Sequence, residues 1–223
     1  MVIATKRRDS INFLKNPIFN GITEEEYNEL AAPGCTRTSR YAKDQAVFST
    51  GDQTTAFGIL LSGELHIENI DLWGNRIILH NISAGEAFAE TYALSRIPMM
   101  VDVTASRDSE ILFLDLEKLL DDRNSSRPWH TKLLRNLLQL SAAKNIAWSN
   151  RMLCISSRHI RTRIMTYLSA EAVRSGSREV TIPFNRQQMA DYLNVDRSAL
   201  SKELGKMRDE GILEFRKNRF RLI

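Results

Sequence analysis

Asn185-Arg186-Gln187-Gln188-Met189-Ala190-Asp191-Tyr192-Leu193-Asn194-Val195-Asp196-Arg197-Ser198-Ala199-Leu200-Ser201-Lys202-Glu203-Leu204 is the stretch on which the fold turns. Asn185 has a helix-capping side chain, and Gln188 three places on completes a capping box. The helix so begun carries Met189, Tyr192 and Leu193 inward, and the small Ala190 lets a partner helix approach closely. Asn194 suits the left-handed residue of a tight turn, and Val195 fills the space between two helices. Asp196 then caps a second helix whose inner face is Ala199, Leu200, Leu204 and Met207, with Gly211 as its end. Residues 215–223 read as a hairpin turning at Lys217-Asn218. Two helices across a tight turn, followed by a hairpin, predict a winged helix-turn-helix.

The outer face of the second helix is left with Arg197, Ser198, Ser201 and Lys202 near its N-terminal half. In this motif that half enters the major groove of double-stranded DNA. Arginine can bond bidentately to guanine, and serine or lysine can meet base edges or phosphates. Arg186 and Gln187 at the start of the first helix, Lys206, and Arg216, Lys217 and Arg219 in the wing are placed for phosphates. Charge agrees with this reading. The residues from Arg151 onward hold 15 Lys and Arg against 8 Asp and Glu, while the first 150 hold 16 against 19. A polyanionic partner for the C-terminal third alone follows.

The 223 residues, 43% hydrophobic and 26% charged, are too globular in composition for wholesale disorder and suit one large domain or two small ones. The longest apolar runs, 59–61 and 111–114, are far too short to span a bilayer. The first 15 residues are basic without a continuous apolar segment, so no secretory signal and no membrane partner are expected, and the location read is the cytoplasm. Two cysteines, Cys35 and Cys154, cannot build a disulfide framework or a four-thiolate iron–sulfur cluster.

Thr23 with Glu26 marks a short capped helix near the start. Residues 36–115 then alternate short apolar runs with glycine turns at Gly51, Ser62-Gly63, Gly74-Asn75 and Gly85, the spacing of an antiparallel sandwich or barrel. Residues 116–122 read as a short helix, and Pro128 opens a long one running to about Ile155. Its stripe of Leu133, Leu137, Leu140, Lys144, Ala147, Arg151 and Cys154 is followed one residue later by Leu134, Leu138, Ser141, Asn145, Trp148, Met152 and Ile155. One stripe can cover the sheet while the other forms a coiled-coil seam, unless the helix is simply a long core helix. The expected class is α+β in three parts: a β-roll of jelly-roll type over 1–123, a long dimerisation helix over 124–155, and the winged helix-turn-helix over 156–223.

This order resembles the Crp/Fnr superfamily of bacterial transcription regulators, over nearly the whole chain from about Ile18. The motifs that carry the resemblance are Phe57-Gly58-Ile59-Leu60-Leu61-Ser62-Gly63-Glu64-Leu65, Gly85-Glu86-Ala87-Phe88-Ala89-Glu90, and Asp196-Arg197-Ser198-Ala199-Leu200-Ser201-Lys202. It implies a cyclic-nucleotide-binding-like roll, a homodimer joined along the long helices, a small effector in each roll, a pseudo-palindromic operator, and RNA polymerase as a further partner.

Members that bind cyclic AMP hold its sugar and phosphate with a Glu and an Arg-Ser pair. Glu90 matches the Glu, with Ala89 where a glycine usually precedes it, but Met99 and Met100 fall at the Arg-Ser pair. Methionines supply neither cation nor donor for a partly buried phosphate, so cyclic AMP is disfavoured, and the effector is left unidentified. The expected effector contacts are Phe88, Glu90, Met99, Met100, Trp148 and Ser149, with core packing as the competing role for the methionines and interfacial packing for Trp148. Many members carry Glu where Ser198 stands and Arg where Lys202 stands, so a different operator is expected. Haem-binding relatives use a His or Cys of the roll, and His66, His80 or Cys35 is not expected to serve. Cys154 is either a buried small hydrophobe or, beside Arg151 and Arg158, a thiol of lowered pKa. No metal site and no nucleophile with a partner base is visible, so an enzyme is not expected.

Overall fold

A computed structural model describes residues 16–31, 34–70 and 76–223, with the side chain of residue 77 excepted. The basic N-terminal segment and the Gly74-Asn75 turn lie outside the described residues. The chain divides after Ser141 into two compact units.

In the first unit a 3-10 turn, Pro17–Phe19, is capped by the Asn16 side chain, which accepts from the Ile18 amide. Helix α1, Glu24–Ala31, opens with the expected box: Glu26 N donates to Thr23 Oγ1 at 3.2 Å and Thr23 N to Glu26 Oε2 at 2.9 Å. The sheet strands are β1 Thr36–Tyr41, β2 Ala46–Phe48, β3 Ala56–Ile70, β4 Arg76–Ser83, β5 Ala87–Phe88 and β6 Asp102–Asp115. All pair antiparallel, in the order β1-β6-β3-β4, with β2 on β6 and β5 on β3.

The runs read as separate strands around Ser62-Gly63 form one strand of 15 residues. Gly63 makes a bulge there, not a turn: its φ is +96°, and a Cβ would fall 2.7 Å from the Ser109 Cα on β6. Helix α2, Glu90–Ser95, and α3, Leu116–Leu119, are short. The single helix expected over 116–122 ends early, and Asp121 caps a separate 3-10 turn over Asp122–Asn124.

Helix α4, Pro128–Ile155, starts at the expected proline. In the first unit its Trp129, Leu133 and Leu137 join Phe19, Leu30, Phe57, Leu114 and Leu119 in one core. Asn136 ties it down by donating to the carbonyls of Ile18 and Asn20 at 2.9 and 2.8 Å. A second core fills the roll with Leu60, Leu65, Phe88, Met99, Val103 and Phe113. Gly58 is needed beneath Phe88, because a Cβ there would lie 2.3 Å from that ring.

The second unit adds α5 Ile160–Ser175, β7 Glu179–Thr181, α6 Arg186–Tyr192, α7 Arg197–Asp209, β8 Leu213–Arg216 and β9 Arg219–Leu222. Its sheet runs β7-β9-β8. Strand β7 stops at Thr181, just before Pro183, whose ring supplies no ladder donor. Met189, Leu193, Leu200, Leu204, Met207 and Leu213 are fully buried in one core with Phe220. Among the described residues no helix is long and apolar enough to cross a membrane.

Candidate nucleic-acid interface

Local chemistry places α6 and α7. Asn185 Oδ1 accepts from Gln188 N at 2.9 Å, and Gln188 Oε1 accepts from Asn185 N at 2.9 Å. Asn194 takes up the left-handed turn with φ +52°. Asp196 caps α7 by accepting from the amides of Ser198 and Ala199 at 2.8 and 2.9 Å and from the Ser198 hydroxyl. That hydroxyl, followed by the amides, holds the Asp196 carboxyl below its usual range, so it is ionised at neutral pH.

The inner face of α7 is buried as expected, apart from Ala199, which is half-buried. Arg197, Ser198, Ser201 and Lys202 are all exposed, and the i, i+3, i+4 spacing gathers them on one face. Ser201 Oγ donates to the Arg197 carbonyl at 2.9 Å. Lys206, Arg216, Lys217 and Arg219 are exposed too, and Lys217 turns the wing with φ +56°.

Arg186 behaves differently. Its guanidinium is half-buried, lies 5.2 and 5.6 Å from the ring centres of Phe215 and Phe220, and donates to the Lys217 carbonyl at 3.3 Å. It braces the wing against α6, and burial lowers its pKa. Gln187 is exposed and bonded to Asp191 at 2.8 Å.

Three arginines outside the expected set hold this reading head. Arg151 on α4 donates to the carbonyls of Tyr192 and Asp191 at 3.2 and 3.1 Å, and lies 5.6 Å from the Trp148 ring. Arg163 on α5 donates to the carbonyls of Leu193 and Asn194 at 2.9 and 2.8 Å, and to that of Ser157 at 2.6 Å. Four successive carbonyls at the C-terminal end of α6 are thereby satisfied by cations, where the helix dipole favours them. Arg161 braces the back of α7 through Glu203 at 2.7 Å and Glu210 at 2.6 and 2.9 Å.

The expected effector residues differ widely in burial. Phe88 and Met99 are core residues, each 2% exposed, whereas the adjacent Met100 is 70% exposed. Glu90 is buried at the start of α2, preceded by Ala89 with φ +63°. Arg96 is exposed and pairs with Glu117 at 3.3 Å. In the second unit Trp148 and Ser149 are exposed on α4, with Ser149 Oγ 3.5 Å from Asn145 Oδ1.

Cys154 is buried, and burial together with the Glu171 charge pushes its pKa up, so the lowered value weighed for it does not hold. Arg151, the expected activator, is turned to the α6 carbonyls. Among the described residues no group of three or more His, Cys, Asp or Glu is arranged to hold a metal.

Two family descriptions match the chain: the cyclic nucleotide-binding domain over residues 38–122 and the Crp-like helix-turn-helix domain over residues 162–223. Neither description indicates an enzymatic family. Comparison with curated proteins finds no match. Among solved structures, the catabolite activator protein of Thermus thermophilus is similar at 21% identity over 93% of each chain, with a TM-score of 0.53. The c-di-GMP responsive global regulator CLP of Xanthomonas campestris is 16% identical, covering 88% of this chain and 96% of that one, with a TM-score of 0.55. CprK complexed with OCPA is 17% identical over 90% and 89%, with a TM-score of 0.61. At such identities these likenesses are of fold. With a cyclic nucleotide-binding roll, one long helix and a Crp-like reading head in that order, the chain belongs to the Crp/Fnr superfamily of DNA-binding transcription regulators.

Proposed function

We propose that the protein acts as a homodimer that reads a specific, pseudo-palindromic DNA site with two copies of α7 and is gated by a small effector in the roll. The observation that carries the reading is the division of α7. An apolar back is fully buried at Leu200, Leu204 and Met207, beneath a front that exposes Arg197, Ser198, Ser201 and Lys202. The exposed phosphate-facing cations are Lys206, Arg216, Lys217 and Arg219.

Self-association is supported by α4, whose part in the second unit exposes Ile146, Trp148, Met152 and Leu153. Leu138, in the first unit, is exposed as well. Apolar side chains in such numbers along one helix favour burial against a second copy. Two reading helices then address major grooves about 34 Å apart. Effector binding selects the arrangement of long helices that sets this spacing.

A second reading, constitutive DNA binding with no small ligand, is favoured by the burial of Phe88 and Met99 in the roll core. Cyclic AMP is disfavoured because Arg96, the cation nearest the methionines in sequence, is engaged with Glu117. Fluorescence anisotropy on DNA from the protein's own upstream region, with and without cyclic AMP and across a salt series, tests the DNA reading and the exclusion of cyclic AMP. Tight, salt-sensitive and sequence-selective binding is expected, unchanged by cyclic AMP. Weak binding insensitive to salt refutes the DNA reading, and a large rise with cyclic AMP refutes its exclusion as the effector.

A further inference from the structure

We infer that α7 presents Ser198 and Ser201 to DNA as hydrogen-bond acceptors, so that the bases they meet carry exocyclic amines, cytosine N4 or adenine N6. The inference rests on the assignment of α7 as the reading helix and specifies what that helix selects.

A free serine hydroxyl discriminates poorly, because it carries one proton to donate and two lone pairs that accept. Neither hydroxyl is free here. The Ser198 hydroxyl meets the Asp196 carboxylate, and an ionised carboxylate only accepts, so the proton between them belongs to the serine. Asp196 is kept ionised by two amides as well. Ser201 Oγ lies 2.9 Å from the Arg197 carbonyl, another group that only accepts, so its proton points back into the helix. What remains on both oxygens is a pair of outward lone pairs.

The two serines are three residues apart and therefore share a face with Arg197 and Lys202. Arginine and lysine only donate. The face thus offers donors at 197 and 202 and acceptors at 198 and 201. In the major groove guanine shows two acceptors and thymine one, while cytosine and adenine show amine donors. Guanine O6 or thymine O4 opposite Ser198 sets lone pair against lone pair and leaves a desolvated acceptor unpaired. The serines therefore complement cytosine or adenine, and the cations complement guanine or thymine. Asp196 supplies the selectivity without touching the base, by taking the proton that would blur it.

The test uses the full chain and a random duplex pool. Selection yields a preferred site, and each selected adenine or cytosine is then replaced in turn by purine or 2-pyrimidinone, which lack the amine. At the position read by Ser198 the wild type loses about 2–10-fold in affinity on losing the amine, the worth of one neutral hydrogen bond. Ser198→Ala loses nothing further there, and Ser198→Thr behaves as wild type. Ser201→Ala does the same at a second position. Both Ala variants improve helix propensity at exposed sites, so folding is preserved and circular dichroism confirms it. A selected site whose amine deletions cost the wild type and the Ala variants equally overturns the acceptor assignment alone, as does a serine-dependent preference for guanine or thymine. Failure to enrich any sequence overturns the reading role of α7 itself.

Discussion

The outer face of α7 and the segment from Phe88 to Met100 both carry residues expected to touch other molecules, and the fold treats them in opposite ways. On α7 the four expected residues are all exposed on a single helical face. In the roll, Phe88 and Met99 are taken into the core, Met100 is left outside it, and Arg96 is committed to Glu117. The difference comes from what each segment must satisfy first. The reading helix has a cap at one end and a separate apolar face, so its polar face is not needed to fill the core. The roll segment must complete an apolar core, and its large apolar side chains are the nearest filling. Phe48, Phe88 and Phe113 lie edge to face with ring centres 5.9–6.5 Å apart in an interlocked set, the longest separation being that of Phe88 and Phe113.

The largest expected effect breaks this comparison if it fails. Phe88→Ala removes a ring packed on Gly58 and Phe113 and is expected to destabilise the first unit by about 3–5 kcal/mol in urea unfolding. Met100→Ala, one end of the same segment, is expected to stay within ~0.5 kcal/mol. Near-equal small effects mean that Phe88 faces a ligand space and not a core.

Arg151→Ala comes next. It deletes charge-assisted bonds to the Tyr192 and Asp191 carbonyls and is expected to cost the second unit roughly 1.5–3 kcal/mol. The accompanying signature is faster amide exchange at the turn between α6 and α7, while Arg151→Lys recovers only part of the loss because it lacks the fork. Unchanged exchange at that turn means the reading head holds itself without α4.

These two cases also mark how far the sequence is legible. The capping box at Asn185, the left-handed Asn194 and the Asp196 cap each involve residues within three positions, and the structure has all of them. The Arg151 contacts reach 40 and 41 residues along the chain, and nothing local to Arg151 announces them. An arginine standing in an otherwise largely apolar helix stripe is the one signal the sequence offers. Ser62-Gly63 misleads for the same reason, since its bulge answers to Ser109 on another strand. Met99 and Met100 part company because both backbone groups of Met99 are pinned, its amide to the Asp52 carbonyl and its carbonyl to the Gly51 amide, each at 2.8 Å.

Acid acts on the reading head through Asp196, whose folded pKa lies below its unfolded value. Such a group adds stability above the unfolded pKa and loses it as pH falls through the folded one. Asp196→Asn keeps a capping side chain but not the charge. Wild type is therefore expected to exceed the variant in stability at pH 7, with the gap closing as the pH falls below 3.8, measured by urea unfolding at each pH. A gap independent of pH assigns the difference to shape and not to the carboxylate.

The smallest effects separate two kinds of contact within the reading head. Arg197→Ala is expected to cost about 1–3 kcal/mol on the selected site and to relax preference at one base pair, because a guanidinium reads a base edge. Lys217→Ala, at the exposed turn of the wing, is expected to weaken all sequences alike and to reduce the salt slope by about 1. Anisotropy titrations at several salt concentrations on the selected site and on scrambled DNA read both quantities. The slope is the decisive one, since a lost phosphate contact releases one fewer counterion whatever the sequence. A Lys217→Ala slope equal to that of wild type removes the wing from the phosphate contacts and leaves Lys206 and the neighbouring wing arginines to supply them.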